Sequence, residues 1–344
     1  MPSDAELLLQ QAAAWQAQGR RVALATVVKT WGSSPRPAGS WLVVNDRSEF
    51  VGSVSGGCIE GAVIGAAQEA IADGQPRLLE FGVTHDMAWE VGLACGGQVQ
   101  VFVQALPAAG SLTQVISDLL HAVTQRKPMV LLTSIPDGAV ELSGEDSTHS
   151  ADAVRQAIRE ALASDRPVEV GSSAAPDSAP GRLFVQPFCP AARLIIVGAV
   201  HIAQPLSQLA ALAGLEVVLI DPRTAFATEA RFPGVSRKTT WPAQALAEVG
   251  VDRRTAVVTL THDPKLDDPA LEAALRSQAF YVGSLGSGKT HAARLGRLRS
   301  RGFSDEQLGR IHGPVGLKIG ARSPAEIAVS ILAELIAELR KDAA

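Results

Sequence analysis

The sequence predicts an α/β protein of two domains, a mixed α/β domain over residues 1–190 and a doubly wound parallel sheet over residues 191–344. Three observations carry that prediction. The chain has 344 residues, about twice the length of an ordinary domain. Hydrophobic residues make up 47% of it and aromatic ones only 4%, so alanine, valine and leucine must fill the cores, as they do where helices flank parallel strands. The second half also alternates short apolar runs with helical patterns, joined by short connections.

In the first half, Leu7–Gln18 reads as a helix stopped by Gly19. Val22–Val28 reads as a buried strand, followed by a loop of turn formers from Trp31 to Gly39 and strands at Trp41–Asn45 and Phe50–Val54. Ile59, Val63, Ala66, Ala67, Ala70 and Ile71 then recur at helical spacing up to Gly74. Strands resume at Arg77–Phe81 and Gln98–Gln104, with a helix near Leu112–Val123 and a strand near Met129–Thr133. From Ser143 to Gly181 the chain turns polar and rich in Ala, Ser and Pro; within it Ala153–Leu162 reads as a helix and Gly171–Gly181 as a surface loop or linker. A strand at Arg182–Gln186 precedes the boundary near Pro190.

In the second half, Leu194–Val197 leads into a helix from about His201 to Ala213, closed by Gly214. Strands at Glu216–Ile220, Thr255–Leu260 and Ala279–Val282 end in Asp221-Pro222-Arg223, in Thr261-His262-Asp263 and in a glycine-rich turn from Gly283. Ser304 with Gln307, and Ser323 with Pro324 and Glu326, are capping-box starts of two more helices. This order is Rossmann-like.

The net charge of −4 implies no general nucleic-acid-binding surface. The N-terminus, Met1-Pro2-Ser3-Asp4-Ala5-Glu6, lacks the basic segment of a signal peptide, and no apolar run approaches the ~20 residues of a membrane span. Cys58, Cys95 and Cys189 are an odd number spread widely, which fits reduced thiols in a cytoplasm better than a disulfide framework.

Chemistry concentrates at the junctions. Gly198-Ala199-Val200-His201-Ile202-Ala203 joins a strand to a helix, with Asp221 at the end of the next strand, where a dinucleotide site keeps its ribose-binding acid. Val200 stands where the middle glycine would let backbone approach a pyrophosphate, which disfavours NAD(P). Gly283-Ser284-Leu285-Gly286-Ser287-Gly288-Lys289-Thr290 matches the phosphate-loop pattern of nucleotide hydrolases, but only Asp263 offers itself as a magnesium ligand. Gly56-Gly57-Cys58 and Cys95-Gly96-Gly97 form a pair. Cys58 falls near a helix N-terminus, where dipole and amides favour thiolates and anions; the alternative is a small buried filler at a tight turn. His201, His262, Asp263 and the loop His312–Gly320 lie at strand ends, where open α/β sheets bind ligands.

Together these residues resemble the XdhC/CoxI family of accessory factors for xanthine dehydrogenase and related molybdenum hydroxylases. The first half contributes Ala25–Val28, Gly32–Arg36, Gly52–Glu60 and Gly92–Gly97. The second contributes Gly198–His201, Asp221–Arg223, Arg231–Pro233, Thr261–Asp263, Tyr281–Ser287, Gly313–Ala321 and Pro324–Ala328. The resemblance implies a cytoplasmic homodimer, a non-catalytic maturation factor, that binds the molybdenum cofactor (molybdopterin), protects it, supports its sulfuration with a cysteine desulfurase and delivers it to an apo-hydroxylase. Cofactor contacts are then expected from Arg36, Gly56, Gly57, Cys58, Glu60, Cys95, Gly96 and Gly97, and from Gly198, His201, Asp221, Arg223 and His262. Among these, Cys58 or Cys95 would touch molybdenum or its sulfur, Arg36 and Arg223 would neutralise the anion, and His201 and His262 would hydrogen-bond the pterin. The strand ends near His201, Asp221 and His262 would line one wall of a shared crevice. Two features depart from the family: Val200, where glycine is common, and Lys318, where an acid is common. An NAD(P)-dependent oxidoreductase and a phosphate-loop hydrolase remain the competing readings.

Overall fold

Two antiparallel sheets organise the chain before Pro190, and one parallel sheet organises it after, in the computed structural model. The structure describes residues 4–32, 36–82, 97–106, 111–135, 137–171 and 182–341. Two compact units part between Pro190 and Ala191.

In the first unit, β1 (Val22–Trp31), β2 (Trp41–Asn45), β3 (Phe50–Gly52), β4 (Arg77–Phe81) and β5 (Gln98–Leu106) form a sheet in the order β3-β2-β1-β5-β4. The central strand β1 is apolar on both faces because both are covered. Ala23, Ala25 and Val27 pack under Val63, Ala67 and Ala70 of α2 (Glu60–Asp73). Val22 and Leu24 join α1 (Asp4–Ala17) through Leu9, Ala12 and Trp15, and α3 (Ser111–Thr124) through Ile116 and Leu119. The same cluster takes in Leu131 and Phe188 of the second sheet. That sheet runs β7-β6-β9-β8, from β6 (Met129–Ile135), β7 (Val140–Ser143), β8 (Val168–Val170) and β9 (Arg182–Phe188). Helix α4 (Asp152–Ser164) covers its other face with Val154, Ala157, Ile158 and Ala161. Fully burying each valine, leucine or isoleucine among them stabilises by roughly 1.5–3 kcal/mol, each alanine methyl by less.

The first strand runs three residues beyond the Val28 that periodicity suggests, through a register shift between Val27 and Lys29. Both β7 and β8 are short, and β8 lies inside the stretch that reads as polar; its half-exposed pairing on β9 needs no continuous apolar run. Of the expected loop Gly171–Gly181, residues 172–181 lie outside the described residues.

The second unit contains β10 (Arg193–Val197), β11 (Glu216–Ile220), β12 (Ser236–Lys238), β13 (Thr255–Thr259), β14 (Tyr281–Ser284) and β15 (Ile311–His312). All neighbours are parallel, in the order β12-β11-β10-β13-β14-β15. Numbered from β10 this is 3-2-1-4-5-6, the Rossmann order. Alternate residues of β10 face opposite layers. Leu194 and Ile196 meet α5 (Ala203–Leu212) and α10 (Pro324–Leu339). Ile195 and Val197 join the cluster formed with α6 (Pro242–Val249), α7 (Pro264–Arg276), α8 (Gly288–Ser300) and α9 (Asp305–Gly309). The parallel doubly wound sheet expected from the alternation is therefore present. The alternation as read from sequence passes over α6 and α7, whose prolines look like breaks. Pro242 and Pro264 instead occupy first helical turns, where a missing N–H costs nothing.

The order in which strands are added reverses between β10 and β13, so the switch point of the sheet lies between their C-terminal ends. Among the described residues, no helix is long and apolar enough to cross a membrane.

Candidate functional site

The Gly-Gly-Cys segment is a closed loop around one carboxylate. Glu60, the first residue of α2, turns its side chain back toward the residues before it. Its Oε1 accepts from Ser53 Oγ at 2.7 Å, Val54 N at 3.2 Å and Ser55 N at 2.9 Å. Its Oε2 accepts from Gly57 N at 2.8 Å and from Ser55 Oγ. Ser55 Oγ in turn accepts from the amides of Cys58 and Ile59, at 3.1 and 3.0 Å, and Ser53 Oγ accepts from Gly56 N at 2.8 Å. Every backbone N–H from Val54 to Ile59 is thus bonded inside the loop. Burial alone would push the Glu60 carboxyl up, but hydrogen bonds from Ser55 and Ser53 outweigh it and hold the group at about 2. Gly56 and Gly57 lie at φ +79° and +120°, a region closed to most side chains.

Two expectations are sharpened by this geometry. Cys58 is an exposed residue at the mouth of α2, so it is no buried filler. The amides expected to cradle a phosphate are spent within the loop, so what the loop presents is the thiol. Glu60 faces the loop and shapes it. Arg36 lies partly buried ahead of β2, and Gly97 is buried where β5 begins. Cys95 and Gly96 lie outside the described residues.

In the second unit, the switch point gathers Gly198, Asp221, Arg223 and the turn after β13. Gly198 sits at φ +110°, and a Cβ there would come within 2.5 Å of Thr261 Cγ2. Only glycine allows β10 and β13 to end so close together. Asp221, fully buried, accepts from Ala199 N at 2.8 Å and from Arg223 N at 2.9 Å. The Arg223 guanidinium grips the same carboxylate through Nε at 2.9 Å and Nη2 at 2.7 Å. Burial would raise this carboxyl, but Arg223 and the Ala199 amide hold it below the usual range. Arg223 also stacks on Phe226, 4.3 Å from the ring centroid. An acid sealed this way is not presented to a ribose, which removes the group a dinucleotide site needs.

His201 and His262 are both exposed beside this point. His262 lies at φ +62°, a left-handed conformation that costs a non-glycine residue about 1–2 kcal/mol. Such strain persists only where surrounding structure enforces it. Here Asp267, buried in the first turn of α7, holds Thr261 through its hydroxyl at 2.6 Å and its amide at 3.3 Å. On the other side Asp263 caps α7 by accepting from Lys265 N at 2.9 Å.

Asp267 and the buried Arg294 of α8 were not legible as site residues. They face each other at 3.9 Å, longer than a hydrogen bond. Burial pushes the Asp267 carboxyl up and the Arg294 guanidinium down. Arg294 Nη2 donates to Leu285 O at 2.9 Å, while its Nε and Nη1 and Asp267 Oδ2 have no hydrogen-bond partner. The signal that would have found Asp267 is Asp263-Pro264, an N-cap followed by proline at the first helical position, which starts α7 three residues before that acid.

The phosphate-loop pattern meets a different geometry. Gly283 lies within β14, where a Cβ would come 2.6 Å from Val315 Cγ2. Only Leu285, Gly286 and Ser287 separate β14 from α8. The loop around His312 is tied down elsewhere: Tyr281 Oη donates to Glu334, which also accepts from Gly316 N at 2.8 Å. Among the described residues, no group of three or more His, Cys, Asp or Glu is placed to hold a metal ion.

Fold and site together define a protein with an antiparallel two-sheet unit bearing an exposed loop cysteine and a Rossmann unit whose dinucleotide acid is sealed. Residues 194–335 match the model of the XdhC Rossmann domain, and residues 15–82 match that of the XdhC and CoxI family. The chain is 30% identical over 336 residues to the molybdenum cofactor insertion chaperone PaoD of Escherichia coli, covering 97% of this chain and 89% of that one. It is 29% identical to a Bacillus subtilis protein described as a probable xanthine dehydrogenase component, covering 91% of this chain and 92% of that one. A crystal structure described as a xanthine dehydrogenase from Bacillus halodurans superposes with a TM-score of 0.73 at 26% identity, covering 99% of this chain and 96% of that one. This chain belongs to the XdhC/CoxI family.

Proposed function

We propose that this protein binds the molybdenum cofactor, protects it, supports its sulfuration and inserts it into an apo-hydroxylase of the xanthine dehydrogenase type. The near full-length similarity to a molybdenum cofactor insertion chaperone is the observation that carries the reading. The loop of the first unit fits the chemistry of such a cargo. It offers one exposed thiol, and soft sulfur ligands suit molybdenum and its exchangeable sulfur. Gly56 and Gly57 leave room beside that thiol for a bulky ligand to approach the backbone. Bound cofactor supplies the metal, its exchangeable oxo or sulfido ligand and a phosphate.

The chain's own residues divide the work. Glu60, Ser53 and Ser55 hold the backbone that carries Cys58. Arg36 and Arg223 are the cations assigned to the anionic cargo, with Cys95, Gly96 and Gly97 as further contacts in the first unit. In the second unit Gly198, His201 and His262 border the switch-point crevice, and His201 and His262 present imidazoles to a pterin. Asp221 acts through Arg223. A cysteine desulfurase as sulfur donor, a homodimer and a cytoplasmic setting belong to the same reading.

The test is the small molecule that accompanies the protein when it is produced in cells making molybdenum cofactor, measured by pterin fluorescence after oxidation and by metal analysis. Pterin and molybdenum near one per chain are expected, with both lost in Cys58→Ala while the thermal transition is unchanged. A nicotinamide dinucleotide in place of pterin overturns the proposal, and full retention by Cys58→Ala removes Cys58 from the site.

A further inference from the structure

The turn between β14 and α8 has a feature that packing does not explain. Arg294, on the second turn of α8, is only 1% exposed, yet two of its three guanidinium nitrogens have no hydrogen-bond partner. Its nearest acid, Asp267, is 3.9 Å away and leaves its own Oδ2 unpaired. A buried cation kept so incompletely neutralised is costly unless its charge is used.

The third nitrogen shows where that charge lies. Nη2 donates to Leu285 O, and it lies 3.7 Å from the position a Cβ would take on Gly286. The guanidinium is therefore pressed against the inner side of the turn. A trans peptide points its N–H away from its C=O. With Leu285 O turned in toward Arg294, the Gly286 amide turns outward. The next donors, Gly288 N and Lys289 N, are the first two of a helix of 13 residues, and such donors have no intrahelical acceptor. The Thr290 amide is already capped by Ser287 Oγ at 3.1 Å. Lys289 is exposed at the same end. Outward amides, a helix N-terminus, the exposed Lys289 and, behind them, a buried guanidinium only partly offset by Asp267 meet at this one turn, a combination suited to an oxyanion.

We infer that the Gly286–Lys289 turn binds the phosphate of a phosphomonoester. Three residues between strand and helix are too few to wrap a triphosphate, so a single phosphate is the class of ligand. Either the phosphate of the pterin cofactor or a free phosphorylated metabolite supplies that chemistry, and the first source rests on the function proposed above.

Gly288→Pro is the decisive variant. It deletes one amide at the first helical position, where proline is tolerated, and a Cβ there meets nothing within 4 Å. Ser287 already holds φ −83° and ψ 165°, which a following proline permits. Inorganic phosphate is titrated calorimetrically into the cofactor-free full chain at fixed ionic strength. Saturable binding is expected, weakened about tenfold by Gly288→Pro and by Lys289→Ala, as loss of a charge-assisted contact implies. No heat beyond a matched chloride titration, or equal affinities in all three proteins, overturns the inference. A second arm measures pterin carried by the same variants. Pterin lost together with phosphate binding assigns the turn to the cofactor's phosphate. Pterin kept while phosphate binding is lost assigns it to a free phosphorylated ligand. Wild-type protein that binds phosphate but never carries pterin leaves the turn standing and overturns the proposed function instead.

Discussion

Replacing Glu60 by glutamine keeps the side chain's shape and removes its charge. Five hydrogen bonds end on this carboxylate, three of them from backbone amides. A glutamine offers one acceptor oxygen, and its NH2 group would face donors. The carboxyl is held at about 2 in the folded chain against an ordinary 4.5, and the residue is 7% exposed. That difference corresponds to about 2–3 kcal/mol of stability at neutral pH once some solvent screening is allowed. Because the folded value is the lower one, the contribution is complete above about pH 4.5 and is lost as pH falls through about 2. Urea unfolding followed by fluorescence of Trp15 and Trp41, both buried in the first unit, reads it directly. Wild type should exceed Glu60→Gln by about 2–3 kcal/mol at pH 7, and the gap should close steadily below pH 4. A gap under about 0.5 kcal/mol at pH 7, or one that does not change with pH, would refute the argument that a charged Glu60 holds the loop.

Three other perturbations test the second unit. Gly198→Ala places a Cβ 2.5 Å from Thr261 Cγ2 at φ +110°, and should cost about 2–4 kcal/mol in chemical denaturation; a neutral result would mean that β10 and β13 separate freely. His262→Gly relieves the left-handed backbone and should raise stability by about 1 kcal/mol; pterin retention falling at the same time would tie the strain to binding. Tyr281→Phe deletes the hydroxyl that donates to Glu334 and should lower stability by about 1–2 kcal/mol, with proteolysis in the His312–Gly316 loop rising in parallel.

The fold of the second unit was legible because β10, β11, β13 and β14 are apolar runs that end in marked turns; the short β12 and β15 and the proline-started α6 and α7 carried no such signal. Gly198, Asp221 and Thr261 could be set at strand ends from spacing alone. What spacing could not show was how Asp221 is used. The same acid at the same position serves a ribose in one protein and an arginine in another, and here Arg223, two residues on, takes it. In the first unit the Gly-Gly-Cys loop announced itself, but Glu60 read as a ligand beside the thiol. Its role follows from a backbone that curls three residues' amides onto it, which depends on φ values at Gly56 and Gly57 that sequence only permits. Asp267 and Arg294 escaped because long-range pairs between helices carry no local period, and because Pro264 and Pro269 disguise α7 as a loop.

The internally bonded Val54–Ile59 loop also bears on timing. A segment that satisfies its own donors has its shape before any ligand arrives. Cargo that meets such a loop pays little ordering entropy on arrival, and no folding step need be undone on departure. On the proposed function, release at this loop then requires breaking the contact at sulfur and no refolding of the loop itself. If the chain delivers cofactor as proposed, a loop that needs no reordering favours handover over the last increment of affinity.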